Sequence, residues 1–230
     1  MTTLIQTPDS VVGVDEVGRG TLFGNVVACA VILPETFPDD TYLQIKDSKK
    51  LSFKKRKMLA EYIKKNAVAY GIGVISPDEI DRINILRASI KAMHIALYQV
   101  MEKSKFTKII VDGNHFTPII PKNNHDNNHD NNHDDDNHDN DNDDYIIEYE
   151  CIPKADNTYL NVAAASIVAK DFHDNEILEL LEKEPDLHKY DLKNNMGYAT
   201  LKHRTAIDNH GIHRLHRKTF RSCANAINES

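Results

Sequence analysis

Apolar residues along this chain gather into short runs separated by polar breaks marked with glycine and proline, and the spacing within the runs alternates between strand-like and helix-like. Residues 11–17 and 25–33 are strand-like. The second run, Asn-Val-Val-Ala-Cys-Ala-Val-Ile-Leu, is almost wholly apolar, which predicts a strand covered on both faces. The short glycine-bearing connection between the two favours an antiparallel hairpin. Ser52 then caps a basic helix reaching about Asn66, with Met58, Leu59, Tyr62 and Ile63 as its inner stripe, and 67–75 reads as a third strand. Ser76-Pro77-Asp78-Glu79 combines serine at the cap, proline at the first helical position and glutamate at the third. A longer helix is predicted over about 84–103, with Leu86, Ile90, Met93, Leu97 and Val100 at helical spacing. Residues 108–112 (Lys-Ile-Ile-Val-Asp) form a short buried strand ending in a carboxylate, and 146–152 another strand. A helix over about 159–182 opens on the small residues Ala163-Ala164-Ala165-Ser166, which allow close packing, and a last helix covers roughly 198–210. Strands interleaved with helices predict a mixed α/β domain, with no second core and no repeat of domain size.

Residues 123–144 break this pattern. They repeat Asn-Asn-His-Asp and degenerate into Asp and Asn, with four histidines, nine aspartates and no lysine or arginine. So polar a repeat cannot bury enough surface to order itself, which predicts a disordered insertion in a surface hairpin between two strands. The histidines and aspartates also admit a metal-buffering reading of the tract. The tract changes the meaning of the formal charge of −7: without its nine aspartates, 28 basic residues face 26 acidic ones. The remainder is therefore slightly basic, with clusters over 46–57 and 210–221 that suit a polyanion or a solvated helix face.

Three scattered cysteines, Cys29, Cys151 and Cys223, are too few for a disulfide framework or a zinc site, which points to a reducing compartment. The first residues lack a basic region and an apolar signal core. No apolar stretch approaches the ~20 residues of a membrane span. The expectation is a soluble, intracellular, cytoplasmic protein.

Four acidic positions carry the candidate chemistry. Asp15 and Glu16 close the first strand and run straight into Gly18-Arg19-Gly20; Asp112 closes a buried strand; Asp156 stands between the late strand and the alanine-rich helix. A carboxylate at the end of an apolar strand is costly to desolvate unless a cation meets it. Several on one sheet edge make a cage of hard oxygen ligands of the kind Mg²⁺ or Mn²⁺ selects. Taken singly, Asp112 as a turn cap and Asp156 as a helix cap explain those positions equally well. Adjacent strand residues point to opposite faces, so for Asp15 and Glu16 to reach one ion the strand must twist or bulge, or one of them must offer its backbone carbonyl.

The chain resembles the ribonuclease HII family of type 2 ribonucleases H from about Val12 to Phe220. The resemblance rests on Gly-Val-Asp-Glu-Val-Gly-Arg-Gly at 13–20, Asp47-Ser48-Lys49-Lys50-Leu51-Ser52, Val111-Asp112-Gly113, and Lys154-Ala155-Asp156 leading into Ala163–Lys170. Gly197-Tyr198-Ala199-Thr200 with His203, and His216-Arg217-Lys218-Thr219-Phe220, complete it. The resemblance implies a ribonuclease H-like fold with a central mixed sheet flanked by helices and a small C-terminal helical region, residues 1–230 forming one catalytic domain. It implies that Asp15, Glu16, Asp112 and Asp156 are catalytic and hold two divalent ions, Mg²⁺ or Mn²⁺. Gly18, Arg19 and Gly20 would surround the ribose at the cleavage site. Tyr198 would stack on the sugar at an RNA–DNA junction and contact the 2′-hydroxyl, the group that distinguishes RNA from DNA. Lys49, Ser166 and Lys170 fall in segments associated with backbone contacts. The implied partners are RNA–DNA hybrids and DNA duplexes containing ribonucleotides, cut by a monomeric enzyme to give 5′-phosphate and 3′-hydroxyl ends.

The chain departs from the family pattern at Val17, where alanine is more usual, at Leu215, where a proline is often near, and in the tract at 123–144. Ribonuclease HIII is the sister alternative; it usually carries an N-terminal substrate-binding domain and a glutamate as fourth acidic ligand, where this chain has Asp156. A catalytically silent nucleic-acid-binding module of the same fold is the alternative from another class, and the presence of all four acidic residues argues against it.

Overall fold

In the computed structural model, which describes residues 4–119 and 147–228, the first two apolar runs are strands β1 (Val11–Val17) and β2 (Val26–Ile32), paired antiparallel. Helix α1 (Phe53–Asn66) follows, with the Ser52 side chain accepting the Lys55 N–H. Then come β3 (Ala69–Ile75), α2 (Pro77–Ile83), capped by Ser76 as its sequence predicts, and α3 (Ile85–Met101). β4 (Lys108–Asp112) and β5 (Glu148–Ile152) complete a five-stranded sheet in the order β3-β2-β1-β4-β5. β4 is parallel to β1 and β5 is parallel to β4, so the sheet is mixed. The long helix α4 (Leu160–Lys183) is followed by the single turn α5 (Leu192–Asn195), α6 (Leu201–His210) and α7 (Arg221–Asn228).

Every residue of β2 is buried, because both faces of the sheet are covered. Val26, Ala28, Ala30 and Ile32 pack with Ala88, Ala92, Met93, Ala96 and Leu97 of α3. Val27, Cys29 and Val31 meet α1 and α4 through Leu59, Ile63, Ala164 and Ile167. Each fully buried valine or isoleucine in these layers contributes roughly 1.5–3 kcal/mol. A third cluster joins Phe23, at the end of the β1–β2 connection, to Ile177, Tyr190, Ile207 and Cys223. It fastens the C-terminal helices to the end of the sheet where the acidic pair stands.

Several expectations need correction. Met58 and Leu86 lie on exposed surface, and the buried faces of α1 and α3 run through Ala60, Ala88, Ala92 and Ala96. α7 has no counterpart in the apolar pattern. The strand expected to start at 146 begins at Glu148. Because β4 and β5 are parallel, their connection is a crossover and not a hairpin; the tract at 123–144 lies outside the described residues. Among the described residues no helix is long and apolar enough to cross a membrane.

Candidate active site

The strand register gathers the acidic residues. β1 and β4 run parallel with Val14 opposite Val111, which brings Asp15 level with Asp112. β5 keeps Ile152 opposite Asp112, and the chain then turns through Lys154, in the left-handed region at φ 62°, to reach Asp156. The Ala155 N–H donates to Asp112 Oδ1 at 2.7 Å, so the turn carrying Asp156 is tied to the end of β4.

Gly13 and Asp15 share the face covered by α4. A Cβ on Gly13 would sit 2.5 Å from the backbone of Asn161 and Val162, so only glycine lets α4 pack this closely. That approach brings Ser166 of α4 beside Asp15, where its hydroxyl favours the ionised carboxylate against the effect of burial. The Ser166 hydroxyl also lies 3.0 Å from that of Ser48, which ties Asp15 to the Asp47-Ser48-Lys49 turn. Glu16 points the other way: the pairing of Gly13–Val17 with Val31–Val27 is one-to-one, so no bulge lies under the acidic pair. Its Oε1 accepts from Arg19 at 3.2 Å, while its Oε2 is buried with no hydrogen-bond partner.

The site carries more negative charge than the protein neutralises. Burial, then Glu16 and Asp112, push the Asp15 carboxyl well above the usual carboxylate range. Burial raises Glu16, against the pull of Arg19 and with a further push from Asp112. Asp156 is raised by burial, Asp112 and Asp47, with Lys49 opposing. Hard oxygen donors, mutual repulsion and the orphaned Glu16 Oε2 together fit divalent cations. Among the described residues no three Asp, Glu, His or Cys side chains are gathered in a metal-ready arrangement, so the fit lies in the chemistry of the donors and not in a preformed cage.

The turn after β1 is fixed by Gly18 at φ +87°, where a Cβ would meet the Asn25 carbonyl oxygen at 2.8 Å; a Cβ on Gly20 would face open space. Tyr198 stands across this turn, joined to it by a bridge to Thr21, and is 38% exposed. Burial and the nearby Asp174 raise its phenol above the usual range, so the hydroxyl keeps its proton. Lys170 Nζ lies 5.3 Å from the centre of the Tyr198 ring. Lys49 is exposed, its N–H bonded to Asp47 Oδ1 at 2.9 Å. A groove of about 800 Å³, lined in part by Tyr42, Lys46, Asp47, Lys50 and Asn157, opens beside the Asp156 turn.

Of the residues behind these, Arg217 stands in a family-like segment, while Arg56, His173 and Asp174 are not singled out by the sequence pattern. Asp174, 1% exposed, accepts from Lys170 at 2.7 Å and from Arg56 at 2.6 Å, with His173 Nδ1 at 3.2 Å. Burial opposes its ionisation, but His173 and the Lys170 ammonium outweigh that and hold the carboxyl below its usual range. The i,i+4 spacing of Lys170 and Asp174 is a visible signal for that pair; the Arg56 contact is not, since it joins α1 to α4. Arg217 is wholly buried and bonded to backbone carbonyls.

The sequence model of the family described as Ribonuclease HII matches residues 12–223. A Ribonuclease HII of Parabacteroides distasonis is 42% identical over 208 residues, covering 90% of this chain and 88% of the relative. One from Christiangramia forsetii is 40% identical over 221 residues, covering 96% and 95%. Among solved structures, the ribonuclease H2 of Pyrococcus horikoshii OT3 superposes with a TM-score of 0.68 at 23% identity, covering 95% of this chain and 97% of that one. Bst-RNase HIII in complex with Mn²⁺ gives 0.67 at 20% identity, covering 96% and 70%; at these identities both speak for the fold alone. The chain belongs to the ribonuclease HII family of endoribonuclease hydrolases.

Proposed function

We propose that this chain hydrolyses the RNA strand of RNA–DNA hybrids and cuts on the 5′ side of ribonucleotides embedded in duplex DNA, leaving 5′-phosphate and 3′-hydroxyl ends. The observation that carries the reading is the gathering of the carboxylates at one sheet edge, where the β1–β4 register sets Asp15 level with Asp112 and the Ala155 N–H ties the Asp156 turn to Asp112. These four residues would hold the divalent ions, and Mg²⁺ or Mn²⁺ there would supply an activated water and neutralise charge on the leaving 3′-oxygen.

The remaining residues serve recognition. The backbone of Gly18, Arg19 and Gly20 would border the ribose, the open side of Gly20 leaving room for it. Tyr198 offers a ring face to the sugar and a protonated hydroxyl to its 2′-oxygen. Lys170, held in place by Asp174, and Lys49 would neutralise flanking phosphates. Ser166 acts on both sides, orienting Asp15 and the Ser48 turn. The same reading takes residues 1–230 as one catalytic domain, working as a monomer in the cytoplasm.

The test is cleavage of a labelled DNA duplex carrying one ribonucleotide, with Mg²⁺ or Mn²⁺, by the wild type and Asp15→Asn. A cut 5′ to the ribonucleotide, abolished by chelator and by the substitution, is the expected result. Binding of this duplex and of long hybrids, with cleavage of neither in either metal, would leave the silent binding module as the better account.

A further inference from the structure

His203 and His216 are completely buried, and so is Arg217; no step of the proposed reaction uses any of the three. Their hydrogen bonds have a definite direction. The His213 N–H donates to His216 Nδ1 at 2.8 Å, so the single proton of a neutral His216 ring sits on Nε2. That nitrogen lies 3.1 Å from His203 Nε2, which must therefore accept. The proton of His203 is left on Nδ1, 2.9 Å from the Tyr198 carbonyl oxygen, to which it donates. The chain runs one way, and an added proton on either ring would set two N–H groups face to face. Burial holds both rings neutral, pushing His203 down and His216 down to about 3.

The next residue grips the opposite element. Arg217 donates from Nε and Nη2 to the Gly24 carbonyl at 3.1 and 2.9 Å, from Nη2 to Asn25 O at 3.0 Å, and from Nη1 to Arg19 O at 3.2 Å. Between the two lie the Thr21–Tyr198 and Phe23–His216 bridges and the bond from the Leu22 N–H to Gly197 O at 2.7 Å. An apolar side chain would fill such a core at lower desolvation cost than a guanidinium and two imidazoles. What the polar groups add is a fixed position for three carbonyls of the β1–β2 connection and one of Tyr198.

We propose that residues 213–217 form a brace setting the Gly18-Arg19-Gly20 turn against Tyr198, with His203, His216 and Arg217 as positioning residues for the reading of the ribose. This rests on the assignment of Tyr198 and the turn to the ribose. Asn at 203 keeps a donor near the place of Nδ1, whereas Gln fills more of the ring's volume and places its amide near Nε2. Cleavage of the single-ribonucleotide duplex in Mg²⁺ should therefore show kcat within about threefold of wild type for His203→Asn. His203→Gln should fall about tenfold or more, with KM for both within about twofold. A side chain that merely fills the core would give the reverse order, and a result with Gln equal to or better than Asn overturns the brace. Arg217→Lys keeps the charge without the fork. Combined with His203→Gln, it should lose less than the product of the single losses, and independent losses would sever the two ends. Should any variant fail to fold, ¹⁵N NMR of the wild type decides: Nδ1–H on His203 and Nε2–H on His216 are expected, and the opposite tautomers or an imidazolium refute the relay. A Tyr198→Ala variant with unchanged kcat and KM removes the ribose reading itself, whatever the histidines do; an impaired one with the wrong order at 203 removes the brace alone.

Discussion

At the residue scale the site is a set of carboxylates held where the fold would rather have them neutral. Asp15 illustrates the consequence for stability. Its folded pKa lies well above its ordinary value of 3.8, so the native state binds its proton more tightly than the unfolded chain does. The stability this confers is full below the unfolded value and is lost as pH rises through the folded one. At neutral pH without divalent ions, Asp15→Asn should therefore raise the melting temperature by about 3 °C, the effect of ~1 kcal/mol at this size, while abolishing cleavage. Saturating Mg²⁺ or Mn²⁺ should stabilise the wild type by about 2.7 kcal/mol at a hundredfold excess over Kd and the variant much less. An Asp15→Asn protein less stable than wild type in chelator would contradict the charge argument. Asp174 has the opposite sign. Removing its charge breaks the buried ion pair with Arg56, so Asp174→Asn should cost about 3–5 kcal/mol in denaturant unfolding. Because its folded pKa lies below its ordinary value of 3.8, that difference should hold above this value and fade as pH falls through the folded one. Asp15, Glu16 and Asp112 were legible because each sets a charge at the end of an apolar run, and Asp156 because it stands in the family-like segment between the late strand and the alanine-rich helix. Arg56 and Asp174 were not, since the bond that gives them meaning joins residues more than a hundred apart, and Arg217, though in a family-like segment, showed no partner because its carbonyls lie across the chain.

At the element scale, strand positions followed from alternation and composition, and the caps at Ser52 and Ser76 fell where serine chemistry places them. The helix faces were harder to read because the closest contacts use the smallest residues. α3 meets β3 at Gly71 and Gly73, where a Cβ would stand 2.1 Å from Ala96 O and 1.9 Å from Ala92 O. Its buried face is therefore alanine, and a reading that follows large apolar residues is rotated toward Leu86. α7 escaped notice because Cys223 is its one wholly buried side chain among those described. Two glycines test what each helix does. Gly73→Ala and Gly13→Ala should each cost roughly 1–3 kcal/mol through overpacking against backbone. Only Gly13→Ala displaces α4, which carries Ser166, Lys170 and Asp174. Its kcat should fall by about tenfold or more below the unfolding transition, while Gly73→Ala keeps kcat within about twofold of wild type. Equal loss of kcat in both would show that α4 is not the element that sets the site.

For the whole molecule the open question is charge. The chain carries 28 basic and 35 acidic residues, yet the proposed substrate is a polyanion, and the nine aspartates of 123–144 account for the whole negative excess. Association with nucleic acid is driven by phosphate neutralisation and steered by the summed field of the protein, so these aspartates should oppose binding wherever screening is weak. The described chain resumes at Ile147 and enters the sheet at Glu148, which pairs with Lys108 at the end of β4 remote from Asp112. Replacing 123–144 by a short glycine–serine linker should leave kcat on the single-ribonucleotide duplex within about twofold. KM should fall severalfold at 20 mM salt, and the two proteins should converge above about 0.3 M, where the Debye length drops below roughly 6 Å. Convergence at high salt separates long-range repulsion from a direct contact, because a contact made by the tract would persist under screening. Loss of cleavage on deletion would instead place part of the catalytic apparatus within 123–144, and a KM difference independent of salt would show that the tract acts otherwise than through its charge.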